Sequence, residues 1–406
     1  MELTASQTTA LETLLSAVGN GNPLVSLSGA AGTGKTTLIK VLNEELSESV
    51  VCTPTNKAAQ VLCSKGLDAS TFYKKFYILE ETIGGKPKFI SCRRWLNEKR
   101  GGLPDGKIDY TPILIIDEAS MVSSRSIDDM RRMCDTLILV GDHNQLPPVG
   151  DRDYPAGVFG SLRHNAELTE VLRQDEGSMI LTLADALRQG HPHAGKMLKH
   201  FEPQESFQSL IHGGTQMIAF TNKERQRLNH VARRVLGFEW PCPQKGDKMV
   251  VTNNFSDDLI NGTVVEVSSF EWDGINHFAD LGIVLPSGRI FETTLDMQTF
   301  IGDQIGSQRT LLEENLRRPD REDDTSRLEA TFAYCLTAHK AQGSEWENVL
   351  VFDQRSVIKT VAEKDPRGAL SPDEYVRRWT YTAITRARKH LYWAPPWYGQ
   401  ITDRGF

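Results

Sequence analysis

Along the first 150 residues, short continuous apolar runs alternate with longer stretches whose apolar positions recur at helical spacing. The apolar runs are LVSLSGA (24–30), SVVCTPT (49–55), ILIIDEA (113–119) and LILVGD (137–142). Runs of this length without polar alternation predict parallel strands covered on both faces. Segments between them, such as TTLIKVLNEEL, predict helices, and the alternation predicts an α/β architecture. Residues 244–300 follow another rhythm. KMVVT, TVVEVSSF, GIVL and RIFETTL are separated by Asn-Gly, Asp-Gly and Ser-Gly, which predicts hairpins of a small all-β module. Strand-like runs return at 333–337 and 349–353, and TYTAITRARKHLYWA follows near the C-terminal end. A second α/β unit is therefore interrupted by the β module. Residues 313–327, dense in mixed charge, read as an exposed helix or loop.

Composition narrows the classes. The 406 residues carry 46 Lys+Arg against 53 Asp+Glu, a net charge of −7. This excludes a generally basic coat but not a positive groove on an acidic protein. Hydrophobic residues at 39% suffice for packed cores. No stretch approaches the ~20 apolar residues that span a bilayer, so no membrane partner is expected. The N-terminal MELTASQTTALETLL lacks a basic, apolar leader. The expected compartment is the cytoplasm. Cys52, Cys63, Cys92, Cys134, Cys242 and Cys335 form no CxxC and read as reduced core thiols. Between Lys86 and Lys107 seven basic residues face Glu98 and Asp105, a local balance of +5. Two Gly-Gly pairs punctuate that stretch, which suggests a small insertion with turns.

Gly29, Ala30, Ala31, Gly32, Thr33, Gly34, Lys35 and Thr36, followed by Thr37, fit G-x-x-x-x-G-K-[ST] between a strand and a helix. Backbone N–H groups of such a loop point at phosphate. Lys35 would neutralise the β/γ-phosphates, and the Thr36 hydroxyl would ligate Mg²⁺. Asp117, ending a second buried strand, is placed to hold the same Mg²⁺. Glu118 could orient and deprotonate the attacking water. ATP and Mg²⁺ are the expected cofactors.

The further runs DEASM (117–121), GDHNQLPPV (141–149), LTEVLRQ (168–174), TAHKAQGSE (337–345) and YTAITRAR (381–388) resemble, in order, the motifs of superfamily 1 helicases. They are most similar to the RecD branch and to Dda-type phage helicases. The resemblance implies two RecA-like P-loop lobes with parallel sheets, a small basic insertion in the first and a small SH3-like β module in the second. The implied boundaries are 1–72 and 111–155 for the first lobe, with 73–110 as its insertion and candidate strand-separating pin. The second lobe is 156–243 and 331–406, with 244–330 as its β-rich insertion. Gln7 resembles an adenine-reading glutamine, with an ordinary helix-start residue as the alternative. Gln145 resembles the γ-phosphate sensor. Arg173 and Arg386 resemble arginine fingers, whereas Arg388 reads as a surface residue. Gly343 and Glu345 resemble a phosphate-near glycine and a ribose-binding carboxylate.

For nucleic acid, Thr53, Pro54, Thr55, Asn56 and Lys57 resemble a backbone-binding motif, and Ser70, Thr71, Phe72 and Tyr73 a second one. The family commonly has His at the position of Tyr73; an aromatic ring there could stack on a base, while Phe72 reads as core. Phe220, Thr221, Asn222 and Lys223, with Thr337, His339 and Lys340, resemble the matching grip on the second lobe. Asn261-Gly262 reads equally as a strand-contacting turn or a plain hairpin turn. Phe89 and Trp95 are the apolar wedges available to a pin.

The implied function is an ATP-dependent DNA helicase that translocates on single-stranded DNA and unwinds duplex, with hydrolysis in a cleft between the lobes. By branch resemblance alone the polarity is 5′ to 3′. Single strands and forked duplex are the expected partners, with replication or recombination proteins unidentified, and the expected state is monomeric. The alternatives are an RNA-dependent ATPase or helicase, a translocase that strips proteins without unwinding, and a binding module with a vestigial nucleotide site.

Overall fold

A computed structural model describes residues 3–80, 88–98, 100–148, 157–170, 179–239, 241–256, 258–285, 287–305, 327–364, 370–395 and 398. The chain divides into two compact units, Met1–Ser178 with Thr360–Arg378, and Met179–Lys359 with Trp379–Phe406. No helix among the described residues is long and apolar enough to cross a membrane.

The first unit carries β1 (Leu24–Gly29), β2 (Ser49–Thr53), β3 (Ala69–Thr71), β4 (Tyr77–Glu80), β5 (Lys88–Ser91), β6 (Thr111–Ile116), β7 (Cys134–Gly141) and β8 (Ala166–Leu168). Six of them form one parallel sheet in the order β3-β2-β6-β7-β1-β8. The four apolar runs of the sequence are the four central strands. Successive residues of a strand serve opposite faces. Ile115 and Ile138 pack with Leu14, Leu38, Ile39 and Leu42 on one side. Leu114, Ile116 and Leu139 pack with Phe72, Ile127, Met130 and Phe159 on the other. The edge strands β3 and β8 are three residues each, too short and polar to announce themselves. Strand β8 corrects the expected end of the first lobe at 155. It pairs with β1 (Leu27 with Ala166, Gly29 with Leu168) and covers the edge that β1 would otherwise leave unpaired.

Helix α1 (Ala5–Gly19) opens on a capping box of Thr4 and Gln7. Helix α2 (Lys35–Glu45) follows β1, and helix α3 (Asn56–Ser64) follows β2. Strands β4 and β5 form an antiparallel hairpin; residues 81–87 and Lys99 of the expected insertion lie outside the described residues. A small core of Ile78, Ile90 and Cys92 supports the hairpin, and the Trp95 ring packs against it with the Arg100 guanidinium 5.6 Å from its centre. Trp95 is thus engaged in packing, and the Phe89 side chain lies outside what is described.

The second unit contains β9 (Gln216–Ala219), β10 (Lys248–Val251), β11 (Val264–Glu271), β12 (Phe278–Val284), β13 (Ile290–Asp296), β14 (Ala330–Phe332), β15 (Cys335–Thr337), β16 (Trp346–Phe352) and β17 (Ala387–Ala394). A parallel sheet runs β15-β9-β16-β17, and an antiparallel sheet runs β13-β12-β11-β10-β14. Gly262, Gly274 and Gly288 take φ of +93°, +80° and +84°, the left-handed backbone these turns need. The antiparallel sheet is not a separate body. Met249, Val251, Leu281 and Phe332 share one core with Met217, Leu228 and Ala232 of the parallel layer.

A buried ion pair ties these layers. Arg233, on the helix Asn222–Val235, donates from Nε to Asp247 Oδ1 and from Nη2 to Oδ2, each at 2.9 Å. Both side chains are essentially inaccessible. Tyr334 Oη and the backbone N–H of Gln244 also donate to Asp247, and the guanidinium lies 4.1 Å from the centre of the Phe332 ring. Removing one partner strands a buried charge. Asp247→Ala should therefore destabilise the protein by about 3–5 kcal/mol. Arg233→Met combined with Asp247→Leu should cost less than either single change. Urea unfolding of the three variants checks this; a double mutant worse than both singles would contradict it.

Candidate nucleotide and nucleic-acid site

The carboxyl edge of the first sheet gathers the nucleotide motifs because β6, β7 and β1 are neighbours. The loop after β1 holds Gly32 and Gly34 at φ of +82° and +81°. A Cβ at Gly29 would lie 2.8 Å from Thr33 Oγ1 and 3.2 Å from both Leu168 Cβ and Lys35 Cγ, so the strand-to-loop bend has room only for glycine. Ala30, Ala31 and Thr33 complete the loop, with Thr33 Oγ1 donating to the Ala30 carbonyl. Lys35 Nζ donates to the Gly29 and Ala30 carbonyls at 2.8 and 2.9 Å, on the loop itself. Thr36 and Thr37 occupy the first turn of α2. Gln7 caps its helix start. Its Oε1 accepts from the Thr4 N–H, and its Nε2 donates to the Thr33 carbonyl at 3.3 Å. The helix-capping glutamine is thus attached to the phosphate loop.

Asp117 and Glu118 leave β6 side by side. Asp117 is buried, and its pKa is pushed up to about 7, first by burial and then by the Glu118 carboxylate, with Lys35 pulling it down. Its Oδ1 accepts from the Glu118 N–H at 2.9 Å. Glu118 takes φ +53°, the one positive φ outside glycine among the described residues, and such strain costs about 1–3 kcal/mol. Its Oε2 and the Oε1 of Gln145 are buried with no hydrogen-bond partner among the described residues. The end of β7 is pressed against this turn. A Cβ on Gly141 would lie 3.1 Å from Ser120 N and 3.2 Å from Ala119 N. No cluster of three or more His, Cys, Asp or Glu that could hold a metal occurs among the described residues. One carboxylate and one hydroxyl, Asp117 and Thr36, suit Mg²⁺, which keeps most of its ligands as water and phosphate oxygen. A buried carboxylate short of positive charge fits that ion.

Several residues of this site went unnoticed in the sequence. Arg377 Nη1 donates to Asn144 Oδ1 at 2.8 Å within the first unit. Arginine only donates, so the Asn144 amide must present Nδ2 to His143 Nε2, 2.9 Å away. His143 then carries its proton on Nδ1 and donates to Ser28 Oγ at 2.6 Å. Ser28 immediately precedes Gly29. The chain of bonds joins the strand before the phosphate loop to the loop that holds Gln145. Only a Gly-Asp-His-Asn-Gln spelling hinted at it.

The residues expected to contact a strand share one local design. Thr55, Thr71, Thr221 and Thr337 each end or follow a strand and cap the next helix, accepting from the N–H of Ala58, Lys74, Glu224 and Lys340 respectively. A capping hydroxyl accepts through its oxygen and keeps its O–H as a donor. Thr53 is different: its hydroxyl donates to the Thr55 carbonyl, so it shapes the Pro54 turn and its donor is taken. Asn56 opens α3. Tyr73 is exposed and its ring packs at a tilt against Phe72 and Tyr77, with centres 4.2 and 5.1 Å apart, whereas Phe72 is buried. Strands β2 and β3 are adjacent, as are β15 and β9, so the threonines fall into two pairs, one per sheet. Asn222 Oδ1 accepts from Arg225 Nε. Burial pushes the His339 pKa down to about 4, which keeps the ring neutral, and Lys340 is exposed. Asn261 is exposed in its turn, its N–H donating to Asn254 Oδ1.

Gly343, Glu345 and Arg386 lie at the opposite edge of the second sheet, before β16 and β17. Gly343 has φ +74°, and Glu345 is exposed. Arg386 is buried, donating to the carbonyls of Thr382 and Ser344 and to Thr385 Oγ1. Three of its five N–H groups are engaged in these bonds. Arg173 lies outside the described residues.

A glycine loop after β1, an Asp-Glu pair after β6 and a Gly-Asp loop after β7, all on one edge of a parallel sheet, define a P-loop nucleotide-binding protein. The AAA domain family matches residues 2–211. The chain belongs to that family. It is similar to the ATP-dependent RecD2 DNA helicase of Deinococcus radiodurans, 26% identical over 406 residues, 92% of this chain and 47% of that protein. It is also 26% identical over 266 residues to the ATP-dependent DNA helicase dda of Enterobacteria phage T4, 57% of each chain. The chain thus spans about half the length of the curated relatives it matches. The crystal structure of Bacteroides Pif1 bound to ssDNA shares the fold of two RecA-like lobes, at TM-score 0.57 and 17% identity over 97% of this chain and 92% of that one.

Behind the phosphate loop, His164 stacks on His143 with ring centres 5.4 Å apart, and its Nδ1 lies 3.2 Å from Ser26 Oγ. Burial first, and His143 second, push its pKa down to about 4 from 6.5. A histidine depressed in the folded state contributes stability above the unfolded pKa, and that contribution is lost as pH falls. Between pH 7.5 and 5 the loss should be about 1 kcal/mol, allowing for partial exposure. His164→Gln should flatten that part of the profile. Thermal unfolding at the two pH values checks it, and an unchanged slope would assign the loss to other groups.

Proposed function

We propose that this chain hydrolyses ATP with Mg²⁺ to move along single-stranded DNA, 5′ to 3′, and to separate duplex at a fork. The observation that carries the reading is the meeting of Lys35, Asp117, Glu118 and Gln145 on one sheet edge, with Glu118 Oε2 and Gln145 Oε1 buried and unpartnered. Buried polar atoms are ordinarily hydrogen-bonded; two such atoms beside a phosphate loop suit an attacking water and a γ-phosphate. The polarity rests on the likeness to RecD2 and Dda helicases.

Each residue has a stated task. Backbone N–H groups of 29–36 and the Lys35 ammonium bind the phosphates. Asp117 and Thr36 would hold Mg²⁺, which offsets charge on the phosphoryl group. Glu118 orients the water and takes its proton. Gln145 reads whether a γ-phosphate is present, and its loop is joined to the strand before the phosphate loop through His143. Arg173 and Arg386 supply positive charge to the transferring phosphoryl group; Arg386 keeps one N–H on each terminal nitrogen for it. Gln7, Gly343 and Glu345 serve the nucleoside end. On the nucleic-acid side, the O–H groups of Thr55, Thr71, Thr221 and Thr337 and the N–H groups at the helix starts take phosphates without reading bases. Asn56, Asn222, Asn261, His339 and Lys340 extend that track, and Tyr73 offers a stacking face. Two states that differ in their affinity for nucleotide convert hydrolysis into movement. The residues 73–110 serve as the pin.

Glu118→Gln should retain ATP binding and lower kcat by at least 10²-fold, read by single-turnover hydrolysis; a normal kcat would remove Glu118 from the base role. Lys35→Ala should abolish turnover while leaving strand affinity largely intact. The whole reading is tested by ATPase and unwinding on 5′-tailed and 3′-tailed duplexes in DNA and RNA versions. Activity confined to the 5′-tailed DNA is expected. Preference for RNA, or ATPase without unwinding, would replace it with one of the alternatives.

A further inference from the structure

Beyond the nucleotide edge, the first unit holds a cleft of about 410 Å³ whose lining includes Arg93, Arg94, Arg125 and Arg132, with Asp129 and Tyr77. One wall is the helix Cys92–Asn97 of the insertion; the other is the helix Ser124–Met130 and the turn after it. Arg93 donates to the Arg132 carbonyl and ties the walls together. The charge is not neutralised in place. Four arginines face one lining aspartate, and that carboxylate already accepts from Tyr77 Oη at 3.0 Å. Arg132 lies 3.7 Å from Asp129, and Arg94 pairs with Glu98 at 2.7 Å. Exposed pairs of this kind, three or four residues apart, hold only weakly. A phosphate that accepts two parallel guanidinium bonds displaces them readily.

One lining residue of the cleft touches the proposed strand track. Tyr77 on its wall packs against Tyr73, 5.1 Å between ring centres, and Tyr73 lies two residues after the capping Thr71. Its floor includes Ile90 and Met133, which read no base edge. Positive rims over an apolar floor suit backbone contact rather than sequence recognition.

We propose that this cleft binds the phosphodiester backbone of nucleic acid lying beyond the segment held at Thr71 and Tyr73. Two of its arginines come from outside the insertion, so the site belongs to both elements. The inference rests on the nucleic-acid reading of the previous section. The test uses the full chain with Arg125→Ala/Arg132→Ala, with Arg93→Ala/Arg94→Ala for the opposite wall, and with Arg131→Ala as a charge control outside the cleft. Fluorescence anisotropy with labelled forked, blunt-duplex and single-stranded DNA is measured from 50 to 200 mM NaCl. Each double variant should lose about 10-fold in fork affinity, and its log–log salt slope should shrink by roughly 1–2, near 0.9 per phosphate contact. Arg131→Ala should behave as wild type. Loss in the duplex arm places duplex in the cleft; loss in the single-strand arm places a strand there. Unchanged affinity and slope in all arms would overturn the site. So would variants that lose binding of a labelled poly-glutamate peptide while keeping DNA, since that result assigns the cleft to an acidic protein. Wild-type protein that binds no nucleic acid would defeat the parent reading instead.

Discussion

Asp117 and Glu118 stand side by side at the end of a buried strand, where water does little to separate their charges. The rest of the first unit follows from making that pair tolerable and useful. Burial and the Glu118 carboxylate raise the Asp117 pKa to about 7, and Lys35 opposes the rise. A divalent cation would favour the ionised form in the same way. Glu118 takes a left-handed backbone, a conformation that costs energy in any residue with a Cβ. Close packing of Gly141 against residues 119 and 120 leaves that turn little freedom to relax.

Parallel strand order does the remaining positioning. A strand end on the carboxyl edge delivers a loop, and adjacent strands deliver adjacent loops. In the first sheet β6, β7 and β1 bring the nucleotide motifs together, while β2 and β3 bring the threonine-capped turns. In the second sheet β15 and β9 carry the threonines at one edge, and the starts of β16 and β17 carry Gly343 and Arg386 at the other. Each capping threonine holds its own helix start, so its side chain has little rotamer entropy left to lose.

Stability in the second unit comes from a different device. Its antiparallel and parallel layers share one apolar core, and buried arginines join them. Arg225 reaches Asp303, and Arg233 reaches Asp247. Such pairs contribute less to net stability than to fixing which surfaces meet.

Much of this was readable from the chain alone. Continuous apolar runs announced the four central strands of the first sheet, since a strand covered on both faces has no polar alternation. The phosphate loop, the Asp-Glu pair and the glycine turns of the β module were equally plain, because each needs particular residue types at fixed spacing. Strands β3 and β8 were not legible, being three residues long and stabilised only by their neighbours. Nor were the Ser28–His143–Asn144–Arg377 chain, the Gly141 packing or the four-arginine cleft. Their members lie far apart in sequence, and hydrogen bonds and charge density of that kind exist only once strand order has brought them within a few ångströms. Local sequence determined the loops that can hold a phosphate; tertiary packing decided which side chains surround them.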